Sequence, residues 1–204
     1  MINFEKEQKC ERLPVIAVLP QHYNFKYLVT TLIHKDMIRI LFVCHGNICR
    51  SPMAEFILKA LVRARGLEGA YCIESAAISD EEYGNPIYPP AKRCLTNHGV
   101  WFDPAKTART IARADYDRFD RIVCMDSANL RYLCRMFPFD PQKKVHMLMS
   151  YTGFGRDVAD PWYTGDFETA FQDILEGCEA MLNLEPVFCH ETCDSKGKGG
   201  FCFN

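Results

Sequence analysis

Residues 38–52 read IRILFVCHGNICRSP. The first six are apolar at all but one position, which is typical of a strand buried in a parallel sheet. Apolar residues then recur at helical spacing over residues 53–64, so the pattern predicts an amphipathic helix. Ser51 is a residue type that favours the N-cap and Pro52 one that favours the first helical position. The stretch therefore predicts a strand, a tight loop that Cys44 begins, and a helix N-terminus.

The loop has the composition of an anion-binding site that contains a nucleophile. A helix N-terminus presents free N–H groups and the positive end of its dipole to the loop. The same field favours the thiolate form of Cys44, which is the nucleophilic form of a cysteine. Arg50 offers a planar fork of donors that suits a phosphate group. Gly46 allows the backbone to turn, and Asn47 can stabilise a strained turn through its side chain, so we expect attack on phosphorus.

A second segment, residues 158–163 (VADPWY), offers the acid that such a reaction needs. Loss of a phenolate leaving group requires a proton, which a positioned carboxylic acid can supply. Pro161 biases Asp160 toward an extended conformation and stiffens the segment. Trp162 and Tyr163 can form walls for an aromatic ring. We therefore interpret Asp160 as the candidate general acid and the two aromatic residues as the substrate rim.

The run CHGNICRSPMAE, residues 44–55, resembles the active-site loop of the low-molecular-weight protein tyrosine phosphatases. The resemblance extends from about Met37 to about Glu185 and includes the Asp-Pro-aromatic segment. It implies a nucleophile at Cys44, a phosphate clamp at Arg50 and a general acid and base at Asp160. It also implies a phosphotyrosine-containing protein as substrate, a phosphocysteine intermediate, and neither a metal nor another cofactor.

The resemblance implies supporting roles as well. Asn47 and Ser51 match residues that hold the loop and hydrogen-bond the sulfur, and His98 matches a histidine of that network. Asp126 matches an acid that follows the third strand, with a helix cap as the alternative. Glu81 replaces the aromatic rim residue of many eukaryotic relatives, so we expect a more acidic rim. The phosphate-binding loop so implied consists of His45, Gly46, Asn47, Ile48, Cys49 and Ser51.

Cys49 is a special case among the loop residues. It matches a second loop cysteine that forms a reversible disulfide with Cys44 and protects it from over-oxidation. The alternative is a thiol that only packs in the loop. We therefore expect Cys49 as a redox partner and leave the packing role open.

The pattern along the chain predicts a single α/β domain with a four-stranded parallel sheet and helices on both faces. Such sheets bind ligands beyond the carboxyl ends of their strands, which is where Cys44 would lie. We assign residues 37–185 to this domain, residues 1–36 to an N-terminal extension and residues 186–204 to a flexible Cys/Gly-rich tail. The predicted strands cover residues 38–43, 71–76, 121–124 and 144–149; the predicted helices begin at Pro52, Pro90, Asp126 or Ser127, and Phe167.

Composition excludes several function classes. The chain has 204 residues, 48% of them hydrophobic, and a net charge of −2, so nothing favours a nucleic-acid partner. No apolar run reaches the length needed to insert into a membrane. The first residues lack the charge pattern of a signal peptide, so we expect a cytoplasmic protein. The eleven cysteines are an odd number in a chain of ordinary size, which does not favour a disulfide scaffold.

Three other functions remain to be weighed against tyrosine phosphatase activity. An arsenate reductase on the same fold would need a downstream relay of closely spaced cysteines, whereas Cys94, Cys124 and Cys134 are widely spaced. Relatives that act on phosphoarginine carry Thr where this chain has Ile48. A phosphate-binding module without turnover would need neither a nucleophile nor an acid. The residues favour none of these and predict no particular oligomeric state.

Overall fold

The computed structural model describes residues 37–184. The predictions for the extension at residues 1–36 and for the tail at residues 186–204 lie outside the described residues. Residues 37–184 form one layer of β-sheet between two layers of helix.

All four strands of the sheet are parallel, in the order β2-β1-β3-β4. This confirms the fold class that the sequence predicted. The strands are β1 (Ile38–Cys44), β2 (Tyr71–Ala77), β3 (Arg121–Cys124) and β4 (Val145–Met147).

Six helices accompany these strands, two of them only one turn long. Helix α1 follows β1 and helix α6 ends the described chain, and both pack on the same side of the sheet. The helices are α1 (Arg50–Ala64), α2 (Pro89–Asn97), α3 (Asp115–Arg118), α4 (Ser127–Met136), α5 (Pro161–Thr164) and α6 (Phe167–Leu184); two 3₁₀ turns cover Glu68–Ala70 and Leu148–Thr152.

The central strand β1 is buried on both faces, because successive side chains of a strand point to opposite sides. Ile40 and Phe42 pack into the cluster that contains α1 and α6. Leu41 and Val43 pack into a second cluster on the opposite face, which includes Leu133 of α4. The near-continuous apolar run of β1 thus reflects burial by helices on both sides.

Two boundaries differ from the sequence predictions by two residues, and the other strand limits and helix starts agree to within one residue. Helix α1 begins at Arg50, so Ser51 lies within its first turn and does not cap it. The Ser51 hydroxyl instead lies 3.3 Å from the carbonyl oxygen of Ala76 and 3.1 Å from the sulfur of Cys44. Strand β4 ends at Met147, earlier than predicted, because the chain turns into a 3₁₀ segment.

The strand order places the loop after β1 at a favourable position. The chain runs from β1 outward to β2 and then returns across β1 to β3, so the order reverses beside β1. A crevice forms at the carboxyl ends of the strands where such a reversal occurs. The loop after Cys44 lies at this crevice.

The 148 positions from 37 to 184 include no helix that is long and apolar enough to cross a membrane.

We predict that Gly177→Ala destabilises the protein. A Cβ at Gly177 would lie 2.5 Å from Cγ of Leu148, so helix α6 and the 3₁₀ segment would have to separate. Overpacking of this kind costs about 1–3 kcal/mol, which exceeds the ~1 kcal/mol that alanine gains over glycine in a helix. Urea unfolding measures the difference. Gly69→Ala, with nothing within 4 Å of the added Cβ, is the control, and a more stable Gly177→Ala would contradict this packing.

Candidate active site

A cavity of about 160 Å³ opens at the carboxyl end of β1. The three residues that the sequence singled out for catalysis, Cys44, Arg50 and Asp160, all line it. They come from the end of β1, the start of α1 and the segment before α5. The remaining lining residues are His45, Gly46, Ile48, Cys49, Glu81, Glu82, Trp162 and Tyr163.

The sulfur of Cys44 contacts the first turn of α1. Cys44 is the last residue of β1 and is buried, and its sulfur lies 3.1 Å from the hydroxyl of Ser51. A hydroxyl that donates to a thiolate stabilises the charged form. The start of α1 also directs unpaired N–H groups and its dipole toward the loop. The local structure therefore favours an anion at this point.

Asn47 holds the loop in its shape. Its φ of 55° lies in the left-handed region, which asparagine tolerates better than most residues. Its side-chain amide donates to Ser51 at 2.8 Å and to Ser75 of β2 at 2.9 Å. The amide oxygen accepts from the Lys106 ammonium group and from the backbone N–H of Arg109, both at 3.2 Å. The loop is thereby tied to β2 and to the segment that precedes α3.

Buried charges complete this network. The hydroxyl of Ser75 donates to the carboxylate of Glu55 at 2.6 Å, and the Lys106 ammonium group lies 3.9 Å from the same carboxylate. Burial lowers the pKa of Lys106 from its ordinary value, while Glu55 acts in the opposite direction. The carboxylate of Glu55 is almost fully buried and also accepts from Lys59 at 2.5 Å. Each buried polar group in the network has a partner.

Arg50 is buried and pairs with two carboxylates. One terminal nitrogen donates to Asp126 at 2.7 Å, and the other donates to Asp160 at 2.5 Å. Burial acts to lower the pKa of Arg50, but the charges of Cys44, Asp160 and Asp126 outweigh it, so the pKa is raised above its usual value. The guanidinium therefore remains charged and held in a fixed plane beside the sulfur.

Asp160 lies where the sequence predicted the acid. Its backbone is extended, and its carboxylate accepts from the N–H of Trp162 at 3.1 Å as the N-cap of α5. The extended conformation agrees with the restriction that Pro161 imposes on the preceding residue. Asp160 thus lines the cavity together with Cys44 and Arg50.

Asp126 fills both of the roles that the sequence left open. Its carboxylate accepts from Arg50 and, through its other oxygen, from the N–H of Asn129 at 2.6 Å as the N-cap of α4. The helix cap thus fixes the carboxylate that orients the guanidinium. Asp126 itself does not line the cavity, so its position supports a role through Arg50.

The rim of the cavity combines acids and aromatic rings. His45 and Glu81 both line the cavity, are paired at 3.0 Å and are exposed. Trp162 and Tyr163 also line the cavity and are exposed. Trp162 packs against Tyr88, with 5.4 Å between the ring centroids. The rim thus offers both aromatic surface and carboxylates.

Three further loop residues have distinct environments. Gly46 does not have a positive φ. A Cβ there would lie 3.0 Å from Cγ of Glu82, so the close approach of Glu82, and not backbone conformation, restricts which side chains fit at this position.

Ile48 and Cys49 are buried together with Ala108. Burial raises the pKa of the Cys49 thiol to about 12, with a smaller contribution from the charge of Cys44. Both Cys44 and Cys49 are free thiols in the structure.

The prediction for His98 was wrong. His98 does not reach the network around Asn47, because its ring bonds Glu168 at 2.9 Å and stacks on Phe171. Lys106 occupies the place that the resemblance gave to a histidine. No sequence signal marked Lys106, which lies in an irregular segment without periodicity. Ser75 and Glu55 could have been found, since each lies on a patterned element and points toward the loop.

Comparisons with known proteins agree with this geometry. A sequence model of the family described as low molecular weight phosphotyrosine protein phosphatase matches residues 39–187. The chain is 42% identical over 148 residues to the low molecular weight protein-tyrosine-phosphatase YfkJ of Bacillus subtilis, which covers 72% of this chain and 94% of that protein. It is 36% identical to the low molecular weight phosphotyrosine protein phosphatase of Sus scrofa, with 70% of this chain and 92% of that protein covered.

Solved structures give the same result. The crystal structure of YfkJ matches with a TM-score of 0.70 and 41% identity, and it covers 72% of this chain and 94% of its own. The structure described as Drosophila arginine phosphatase matches with a TM-score of 0.66 and 34% identity over 72% of this chain and 96% of its own. These matches extend over the whole described domain, so the chain belongs to the low-molecular-weight phosphotyrosine protein phosphatase family.

Proposed function

We propose that this chain is a protein tyrosine phosphatase that hydrolyses phosphotyrosine in protein substrates through a phosphocysteine intermediate. The proposal rests on one observation: the Cys44 sulfur, the Arg50 guanidinium and the Asp160 carboxylate line a single cavity. A nucleophile, a clamp for equatorial oxygens and a proton donor are the groups that transfer of a phosphoryl group to an enzyme requires. The aromatic rim suits a phenyl ring.

In the first step, the Cys44 thiolate attacks phosphorus and the bond between phosphorus and the phenolic oxygen breaks. Arg50 and the amides of the loop hold the three equatorial oxygens, since positioning and charge stabilisation supply most of the catalysis in phosphoryl transfer. Asp160 gives its proton to the departing oxygen. Because Asp160 pairs with Arg50 at 2.5 Å, an entering phosphoryl group competes for that guanidinium. The released carboxylate takes up a proton from the solvent and then acts as the acid.

In the second step, a water molecule attacks the phosphorus of the phosphocysteine. Asp160, now ionised, accepts a proton from the water, and the bond between sulfur and phosphorus breaks to regenerate the Cys44 thiolate. The hydroxyl of Ser51, at 3.1 Å from the sulfur, stabilises the thiolate as leaving group. Asn47 and Asp126 act as positioning residues through Ser51 and Arg50.

Hydrolysis of phosphoarginine is the second candidate function. A related structure, 34% identical, is described as an arginine phosphatase. Ile48 is buried beside the cavity, and its apolar side chain offers no hydrogen bond to a guanidinium. This observation favours phosphotyrosine over phosphoarginine as the substrate.

We also propose a cytoplasmic location, which the free cysteines support. All seven cysteines between residues 37 and 184 are free thiols. Free thiols are typical of a reducing compartment. We propose phosphoproteins of that compartment as the substrates.

Substrate selectivity is the central test. We expect hydrolysis of a phosphotyrosine peptide without added metal, and little or no hydrolysis of matched phosphoserine and phosphoarginine peptides. Cys44→Ser should lower kcat/KM by roughly 10⁴-fold or more, because a serine hydroxyl is a far weaker nucleophile at neutral pH. Release of inorganic phosphate measures both effects.

Cys134→Ser is the matched control, since Cys134 is exposed on α4. Binding of inorganic phosphate to Cys44→Ser, followed by calorimetry, shows that the loop is intact. Preferential turnover of phosphoarginine would replace the proposed substrate. The absence of turnover on all three peptides by the folded wild type would contradict the proposed hydrolysis and favour arsenate reduction or binding alone.

We predict that the effect of Asp160→Ala depends on the leaving group. Loss of a general acid should slow hydrolysis of phenyl phosphate by about 10²–10⁴-fold. The loss should be at least about tenfold smaller for nitrophenyl phosphate, whose leaving group needs less protonation. Steady-state kinetics on both esters measures the ratio, and Asp117→Asn, at an exposed position of helix α3, is the control. Equal losses on the two esters would remove Asp160 from the acid role.

We also predict that Cys49 protects Cys44 from oxidation. Peroxide converts the Cys44 thiolate to a sulfenic acid, and the Cys49 sulfur then attacks it to form a disulfide with loss of water. The fraction of activity that a dithiol restores after peroxide should be lower in Cys49→Ser than in wild type. Because the pKa of Cys49 is about 12, the wild-type fraction should rise with pH as more of the thiolate forms.

Each variant is compared with its own untreated activity, so any effect of the substitution on basal turnover cancels. Cys134→Ser serves as the control for loss of an unrelated thiol. Equal recovery in Cys49→Ser and wild type would assign Cys49 to packing only.

A further inference from the structure

Outside the active site, three side chains with metal-binding atoms meet between helices α2 and α6. Cys94 lies in α2, His98 directly follows that helix, and Glu168 lies in the first turn of α6. One ligand atom from each lies within 4.8 Å of the other two. Cys94 and Glu168 line a cavity of about 550 Å³, which shares Trp162 with the cavity beside Cys44.

We propose that Cys94, His98 and Glu168 form a binding site for a zinc-class divalent cation. A thiolate, an imidazole and a carboxylate are a set of ligands that suits Zn²⁺. Three protein ligands with one open position are typical of sites in which water or another small ligand completes a tetrahedron. The neighbouring cavity gives that fourth ligand access.

The backbone brings the first two ligands to one side of a helix. Cys94 and His98 are four residues apart, and the N–H of His98 donates to the carbonyl of Cys94 at 3.2 Å, which continues the helical turn. Residues at this spacing project from the same face. The sulfur and the imidazole therefore point toward α6 together.

The third ligand faces this pair across the two helices. Both carboxylate oxygens of Glu168 lie close to Nε2 of His98, at 3.0 and 2.9 Å. Bonds of about 2.0–2.3 Å to a tetrahedral ion separate its ligands by about 3.4–3.6 Å. The observed separations, from 2.9 Å to at most 4.8 Å, bracket that value.

The surroundings hold the ligands in place. The ring of His98 stacks on Phe171 with 3.8 Å between centroids, which fixes the direction of Nε2. Gln172 donates to Glu168 at 2.9 Å, as an outer partner of a ligating carboxylate does. The thiol of Cys94 is buried and donates weakly to the carbonyl of Phe167 at 3.5 Å. On metal binding, the thiol proton passes to solvent and the sulfur bonds the ion.

The alternative is a plain ion pair. His98 and Glu168 would then only tie α2 to α6, and Cys94 would only fill space between them. The ion pair needs no cysteine, so the contribution of Cys94 distinguishes the two.

Titration of the full chain with Co²⁺, after removal of metals by a chelator, tests the proposal. Bound Co²⁺ gives a sulfur-to-cobalt charge-transfer band in the near ultraviolet when a thiolate coordinates it. We expect this band to saturate at one Co²⁺ per chain and to disappear when Zn²⁺ is added. Neither readout involves phosphatase activity, so failure of the proposed function would leave this test unaffected.

Variants assign the ligands. Cys94→Ser should abolish the band, and Glu168→Gln should keep the band but weaken Co²⁺ binding by at least about tenfold, because the substitution removes an anionic ligand. Glu168 is exposed, so Glu168→Gln provides a variant with little risk of misfolding. Cys134→Ser should keep both the band and the Co²⁺ affinity of the wild type. A band that survives in Cys94→Ser, or no band in wild type, would overturn the proposal.

Discussion

The buried guanidinium of Arg50 is the interaction on which the active site depends. The residue is 3% exposed, and a buried cation without partners would cost several kcal/mol. Ion pairs with two carboxylates that are distant in sequence offset this cost. The carboxylates belong to Asp126, after β3, and Asp160, before α5. The ion pair between Arg50 and Asp160 therefore positions the segment before α5 and orients the guanidinium of Arg50 at the same time. A phosphoryl group that takes over part of the guanidinium changes the partners of Asp160 at the same time.

The shape of the loop depends on a single amide. Asn47 uses both of its N–H donors and both acceptor positions of its oxygen, which is the full capacity of the side chain. Each such bond contributes about 0.5–1.5 kcal/mol, and the left-handed backbone costs about 1–2 kcal/mol. The bonds together outweigh the strain. Because one of them ends on Ser51, the same amide also orients the hydroxyl that faces the Cys44 sulfur.

Periodicity and local chemistry predicted those parts of the molecule that regular elements determine. The apolar run of β1 and the spacing in α1 placed Cys44 and Arg50 correctly, and Pro161 predicted the extended backbone of Asp160. The predicted start of α1 was wrong because Ser51 does not cap the helix. Its hydroxyl contacts Cys44 and Asn47 instead, and these tertiary contacts cannot be read from the local sequence. The roles of Lys106 and His98 could not be predicted, since each depends on which distant element an irregular segment meets.

The segment that contains Asp160 is positioned by Asp173, a residue that no sequence motif marked as functional. Asp173 is buried in α6, and its carboxylate accepts from the N–H of Ala159 at 3.0 Å and from Arg156 at 2.6 Å. These bonds fix the backbone directly before Asp160 to a long helix. The loop of Cys44 is fixed separately, through Asn47 and β2. Cys44 and Asp160 thus rest on different elements, and both lie beside Arg50 in one cavity.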